Sequence, residues 1–519
     1  MITKWLAVTV QLSLCATRTS KFPTKFSFFY SPAVAHRWHI ISKMFFSIEK
    51  LPYWPQWLVA LIMSLAVLVT GMGNGWTSPY LAQLTAPDAT LALKLTATEA
   101  SWIASILSLG RSIGSVGGAI SQGCIGRKKT ILGGAVPLAL GWTFLMLATS
   151  VPWLYAGRLL IGTASGIVWS GLALFIGEIA DPKIRGSLIF LNLNVTAIGA
   201  FLGNAIGPNM PMEHFAGVSL ALTAVFAVAF ALVPESPYHH ILKGNTRKAE
   251  ESLRWYNRRE NVKAEISELQ DFVGSTKVSV ADRLAEFNKP VNRKNLATMM
   301  CLSIFLYGAG HNTMSYYAEI IVAKSKIGLT PSVVVMSLSF CSIIAAATAT
   351  IIVDKLNRRT LLFASSIGAS IAMISLGVHF HLMSSVYSAS SYAWLPIFSL
   401  ILYNFSLAWG LVPVPCALIS EIFPPIIKTT ASMSLSATAA LISFTTARSF
   451  QPFLDLVGEK YVFWTFSLSS LSSALFTWIF VPETRGKSLI QIQKDMSKSK
   501  VHEVENINQK KFNDITHNA

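Results

Sequence analysis

The chain has 519 residues, 52% of them hydrophobic and 13% charged, with a formal net charge of +17. A water-soluble globular chain carries roughly a quarter charged residues, so a lipid bilayer is the expected solvent. Lys and Arg gather in polar loops beside apolar runs, and no basic helix with interleaved aromatics stands alone; the charge marks membrane orientation and speaks against a nucleic-acid partner.

The five cysteines (Cys15, Cys124, Cys301, Cys341, Cys416) are scattered with no C-x-x-C spacing, so neither a disulfide framework nor a metal site is indicated. Residues 1–50 are basic and poor in acids. Met1–Leu14 imitates a secretory signal, with one early Lys and an apolar run, and the region also has a transit-peptide-like composition. A basic cytoplasmic tail, or an extension upstream of a working start at Met44, fits better. A cleaved signal would export an N-terminus that the later loops place inside.

From Gln56 onward, apolar stretches of about 20 residues recur, each long enough to cross a hydrocarbon core of ~30 Å. The predicted spans are 57–80, 100–122, 130–150, 153–177, 187–208 and 214–233, then 296–322, 332–353, 360–383, 393–418, 430–450 and 461–481. Between the sets lies Val233–Arg293, polar and charge-rich. Within it Arg247–Gln270 mixes Glu, Lys, Leu and Trp at helical spacing, which predicts short amphipathic helices on the membrane surface. The expected organisation is a basic tail (1–55), a first six-helix bundle (56–233), a connector (234–295), a second bundle (296–481) and a C-terminal tail (482–519). Arg127-Lys128-Lys129, Lys183 and Arg185, the connector, Lys355 with Arg358 and Arg359, Lys428, and Arg485 with Lys487 fall on alternate loops sharing one side. That pattern predicts cytoplasmic termini and a cytoplasmic connector.

The two sets repeat each other. Gly123-Cys124-Ile125-Gly126-Arg127-Lys128 answers Asp354-Lys355-Leu356-Asn357-Arg358-Arg359, and Glu178…Arg185 answers Glu421…Lys428. Val233-Pro234-Glu235-Ser236 answers Val481-Pro482-Glu483-Thr484. Three matches in the same order mean a six-helix unit present twice.

Several motifs are more specific: Gly157-Arg158-Leu159-Leu160-Ile161-Gly162 in the fourth span, Glu178…Arg185-Gly186 closing it, Pro234-Glu235-Ser236-Pro237 after the sixth, and Pro482-Glu483-Thr484-Arg485-Gly486-Lys487 after the twelfth. Gly310, Asn312 and Tyr316-Tyr317 mark the seventh. On these motifs the chain, from about Gln56 to Leu489, resembles the sugar porters of the major facilitator superfamily. Trp76-Thr77-Ser78-Pro79 and Glu421-Ile422-Phe423-Pro424 are most similar to insect trehalose-transporter-like members. The resemblance implies an all-α membrane protein with twelve transmembrane helices in two six-helix bundles. It implies a monomer in the plasma membrane that carries a sugar or related polyhydroxy solute, trehalose or a hexose, by facilitated diffusion through alternating access. No cofactor, metal or enzymatic activity is expected.

A gate is expected where opposite charges meet at the helix ends on the connector side: Arg127, Glu178, Arg185, Asp354, Arg358, Glu421 and Lys428. Ion pairs between the halves would close the inner mouth when the protein faces outward. Exposed pairs contribute only ~0.2–1 kcal/mol each, so several together bias two states by the few kcal/mol that a reversible gate needs.

The resemblance also locates the sugar-contacting positions. The fifth-span glutamine falls on Leu193, the two seventh-span glutamines on Leu306 and Tyr307, and the eighth-span asparagine on Ser342. The tenth-span tryptophan falls on Cys416 and the eleventh-span Asn-Trp pair on Ala439 and Ala440; Asn312 alone is retained. Candidate solute contacts are therefore Asn312, Asn192, Tyr307, His311, Ser342 and Arg111. Arg111 lies midway along the second span, where a charge costs ~2.5–3.5 kcal/mol to insert, so it should seek water, a partner or an anionic or highly hydroxylated solute. Arg158 and Arg448 are expected to brace helices. Gln56–Pro79 holds no Asp or Glu, whereas the proton-driven sugar porters use a first-span carboxylate. That favours a uniporter over the alternatives, a proton-coupled symporter using His311 or a transport-dead sugar receptor.

Overall fold

The computed structural model describes residues 53–86, 93–259, 261–276, 280–384 and 392–485. The expectations for the N-terminal tail before Tyr53 and for the chain beyond Arg485 lie outside these residues. Contacts divide the chain at Trp54, and the unit described here starts at Pro55. No strand occurs among the described residues.

The first half contains α1 (Trp54–Thr85), α2 (Ala97–Ile125), α3 (Arg127–Met146), α4 (Val151–Ile179), α5 (Arg185–Ile206) and α6 (Met212–Ala231). The connector forms α7 (Pro237–Leu242), α8 (Thr246–Asn257), α9 (Lys263–Thr276) and α10 (Val280–Asn288). The second half opens with a crossing in three pieces, α11 (Pro290–Gly308), α12 (His311–Tyr316) and α13 (Ala318–Lys324). Then come α14 (Pro331–Lys355), α15 (Arg358–Met383), α16 (Trp394–Ser406) continued by α17 (Pro413–Ile422), α18 (Pro425–Val457) and α19 (Glu459–Phe480).

Twelve spans were expected, and among the described residues ten segments are long and apolar enough to cross a membrane by length and composition. The other two positions are helical but differ for physical reasons. The seventh is interrupted: Gly310 sits at φ +89°, a left-handed conformation that a glycine adopts without strain. The carbonyl of Ala309 beside it accepts from Tyr403 Oη at 2.9 Å. The eleventh, α18, is long enough, but its many Ser and Thr residues lower its hydropathy.

Between α16 and α17 lies a π-helical turn, Leu407–Leu411, where the Val412 amide donates to Leu407 O at 3.1 Å. Pro413 follows and has no amide to continue the α ladder. Irregular backbone in a membrane protein persists where protein or a water-filled cavity surrounds it, so both interruptions flag the interior.

Helices of the first half meet at glycines. A Cβ at Gly114 would collide with the Thr163 carbonyl, and one at Gly162 with that of Leu107. The α2 and α4 backbones therefore touch, as small residues permit in lipid. Across the halves, α2 packs along α18 and α5 along α14.

In the connector, α8 buries Tyr256 against the first half and Ala249 against Val262 and Ile266 of the connector itself. The Tyr256 hydroxyl donates to Pro234 O at 2.8 Å. Gln56 Nε2 donates to Asn257 Oδ1 at 3.1 Å, while Gln56 Oε1 accepts from the Asp181 amide at 2.8 Å. The predicted amphipathic stretch is thus clamped to helix ends of the bundle.

Beside it His239 is buried, and burial lowers its pKa from the ordinary 6.5 although Glu235 opposes the shift; burial lowers His240 likewise. Below pH ~6.5 the undocked form binds more protons than the docked form, so this contribution to docking is present above that pH and fades as pH falls. Hydrogen exchange over residues 237–257 should be slow at pH 7.5 and faster at pH 5 than intrinsic rates explain. His239→Gln should flatten the difference.

Candidate functional site

A polar cluster lies at mid-membrane where α2, α12 and α18 converge. Ser108 of α2 is 2.9 Å from Ser443 Oγ of α18, and Asn312 Nδ2 of α12 donates to the same Ser443 oxygen at 2.6 Å. The Tyr316 hydroxyl stands 3.5 Å from Ser108 Oγ. Ser108, Ser443 and Tyr316 are buried. One turn further along α2, toward the connector, is Arg111, only half-buried, whose Nη2 donates to Asn74 Oδ1 of α1 at 3.1 Å. Arg111 is within electrostatic reach of Tyr307 and His311, whose rings lie 6.1 Å apart across the break at Gly310. Cys416 of α17 neighbours Tyr307 and is exposed.

The structure therefore places Arg111, Tyr307, His311 and Asn312 beside one hydrogen-bonded cluster. It does not bring Asn192 or Ser342 into the hydrogen-bonded cluster. Asn192 is fully buried: its Nδ2 donates to Leu188 O at 2.9 Å and its Oδ1 stands 3.4 Å from Ser64 Oγ of α1. Its amide joins α5 to α1 and has no free edge for a solute. Ser342 donates to Asn404 Oδ1 at 2.8 Å, joining α14 to α16. Sequence reasoning missed Asn74, Ser108 and Ser443. Serines in membrane helices routinely bond their own helix's carbonyls and carry no distinguishing signal.

The halves touch on the face away from the connector. Among the described residues the hydrogen bonds that join them are Ser108–Ser443, Ser108–Tyr316, Ser112 Oγ to Ala437 O, Asn204 Nδ2 to Ser339 Oγ, the Glu319 amide to Ser78 Oγ, and Arg448 Nη1 to Ser101 Oγ. Arg448 also stacks on Trp102, 4.9 Å from its ring centre. Ser112–Ala437 lies about one turn to the connector side of the mid-membrane cluster, and the Ser101, Ser78 and Asn204 bonds lie beyond it on the far side.

Residues 59–496 match the family profile described as "Sugar (and other) transporter". The chain belongs to that family. The transporter is 29% identical over 448 residues to the facilitated trehalose transporter Tret1 of Bombyx mori, covering 86% of this chain and 87% of the relative. It is 28% identical over 459 residues to Tret1 of Apis mellifera ligustica, covering 88% and 91%. Against the longer Drosophila virilis Tret1, at 29% identity, it spans 85% of its own length and about half (49%) of the relative. Its fold matches the xylose transporter XylE from E. coli in an inward open conformation, with a TM-score of 0.69 at 20% identity over 85% of this chain and 99% of that one. The transporter is thus a member of the sugar transporter family with a fold like that of XylE.

Its gate charges are arranged as two copies of one network. In the first half Arg127 Nε pairs with Glu178 Oε1 at 2.9 Å, and the other Glu178 oxygen accepts from Ser236 Oγ. Glu235 Oε1 accepts from the Lys128 amide at 2.9 Å. In the second half Arg358 pairs with Glu421 at 3.3 Å, and Glu421 also accepts from Thr484 Oγ1. Glu483 accepts from the amides of Arg358 and Arg359, each at 3.1 Å. Each acid therefore ties the end of one helix to the Pro-Glu turn of its own half.

Among the described residues no ion pair joins the halves. Arg185 donates to Ala180 O at 3.3 Å, Lys428 makes no ion pair among the described residues, and the Asp354 side chain lies outside them. Arg127 and Arg358 each pair with a carboxylate of their own half, because the helix ends that carry those acids pack beside them.

Arg158 and Arg448 brace helices as expected. Arg158 is fully buried, donates to Gly73 O, Thr77 Oγ1 and Ile103 O, and lies 5.0 Å from the Trp76 ring centre.

Glu421→Ala leaves Arg358 and Thr484 without their acceptor at a site that is mostly buried. The unfolding midpoint in detergent should fall by the equivalent of about 1–3 kcal/mol, with slower transport. Arg448→Ala removes a bond across the far face, so a cysteine reporter introduced at Thr446 should become more reactive to a membrane-impermeant thiol reagent added from that side.

Proposed function

We propose that this chain is a uniporter that moves a sugar or related polyhydroxy solute down its gradient, with trehalose and hexoses as the first solutes to test. The observation that carries this reading is the mid-membrane polar cluster, whose groups come from both halves: Ser108 from the first, and Ser443, Asn312 and Tyr316 from the second. A solute bound there bridges the halves, and rocking them apart on the far face while closing the connector face would release it on the other side. The interaction of solute with both halves supplies the differential affinity that alternating access requires.

Three features support passive transport and a defined orientation. α1 contains no Asp or Glu, so the first span offers no carboxylate for a proton. The basic loops share the connector's face, which fits a plasma-membrane protein with that face in the cytoplasm. Each of the two corner networks also makes its half a rigid body: Arg127, Glu178 and Glu235 in one, Arg358, Glu421 and Glu483 in the other. Closure of the connector face brings these corners together, where the charges re-pair across the halves.

Purified full-length protein in proteoliposomes should exchange radiolabelled solute in counterflow. Uptake should be unaffected by an imposed pH gradient and should stop at equilibrium. Accumulation driven by the pH gradient would instead mean proton coupling, and specific binding without counterflow would mean a receptor.

A further inference from the structure

Two guanidinium groups lie at the same depth of the first half, within electrostatic range of each other, and they are treated differently. Arg158 is saturated by two carbonyls, a hydroxyl and the Trp76 face. Arg111 is half-buried, its hydrogen bond goes to the neutral Asn74, and its Nε is buried with no acceptor at all. Among the described residues no carboxylate pairs with either. The packing of α2 on α4 sets the Arg111 backbone carbonyl against Gly166 and its amide against Gly162, and the side chain reaches α1 at Asn74. His311 Nδ1 is also buried without a partner.

We propose that Arg111 makes the mid-membrane cluster a site for a hydroxylated carboxylate, such as a uronic acid, in preference to a neutral sugar. The proposal deepens the transport reading above and rests on it. A cation at mid-membrane without a counter-ion is costly, and a ligand carboxylate is the one missing element that offsets it. The guanidinium presents a planar fork of N–H groups, which suits bidentate binding of a carboxylate. Tyr307 and His311 then meet hydroxyl groups of the same solute, while Asn312 and Ser443 mark the floor against which it rests. The carried charge also predicts electrogenic transport, since a uniported anion moves one negative charge per cycle.

The test uses the full chain in proteoliposomes, with radiolabelled glucuronate and glucose as the probes. Counterflow half-saturation should be about ten- to hundredfold lower for glucuronate than for glucose, the range expected of one charge-assisted contact. A valinomycin-imposed inside-positive potential should accelerate glucuronate entry and leave glucose entry unchanged. Arg111→Gln should collapse the ratio of the two half-saturation values toward one, and Arg111→Lys, which keeps the charge and loses the fork, should restore part of it. Wild-type exchange of glucose with no preference for glucuronate would overturn the proposal, as would a ratio unchanged in Arg111→Gln. Calorimetric binding of both probes to detergent-solubilised protein separates the two readings. Missing counterflow with Arg111-dependent glucuronate binding defeats transport and upholds the site. Equal binding of both solutes defeats the site alone.

Discussion

Hydrocarbon offers no water to complete a hydrogen bond, so every polar group inside this bundle has to find its partner within the protein or along a wet pathway. Arg158 shows how fully that demand is met: its guanidinium is consumed by α1 and α2 and capped by an indole. The break at Gly310 shows it again, because the freed Ala309 carbonyl is taken up by Tyr403. Against that background Arg111 Nε and His311 Nδ1 are among the buried atoms left without a partner, and both sit near the mid-membrane cluster.

The same demand organises motion. Glycine seams such as Gly114 on Thr163 make each half stiff, because backbones in direct contact have no side chain to yield. The corner networks fasten the Pro-Glu turns to the helix ends, and α8 fastens the connector to the first half through Gln56 and Tyr256. The halves are joined by α2 packed along α18 and α5 along α14, with hydroxyl and amide hydrogen bonds and Arg448 over Trp102 added to that packing. Stiff bodies packed on such seams change by rigid-body movement about the interface.

Much of this was legible before any coordinates. Apolar length, basic loops and three ordered repeats gave the helices, their grouping and the corner motifs. The seventh and eleventh positions departed from simple spans because one glycine and a run of hydroxyl residues sit where hydropathy alone expects uniform helix. Pairing was harder to read. Glu178 lies seven residues from Arg185 yet bonds Arg127 and Ser236, both more than fifty positions away. Sequence spacing reports neighbours along a helix, and an ion pair between helix ends depends on how whole helices are placed.

The sequence by itself determined that this is a twice-repeated six-helix membrane unit of the sugar-porter kind, because length, periodicity and loop charge follow directly from crossing a bilayer. It also singled out Arg111 as a charge in need of an explanation. Only the tertiary structure decided that Arg158 is spent on packing while Arg111 is not, and that Asn192 is consumed by α1 while Asn312 stands in the mid-membrane cluster. Identical side chains differ in this way because a polar group's role is set by which acceptors lie within about 3 Å of it. That distance is fixed by helices meeting from both halves of the chain.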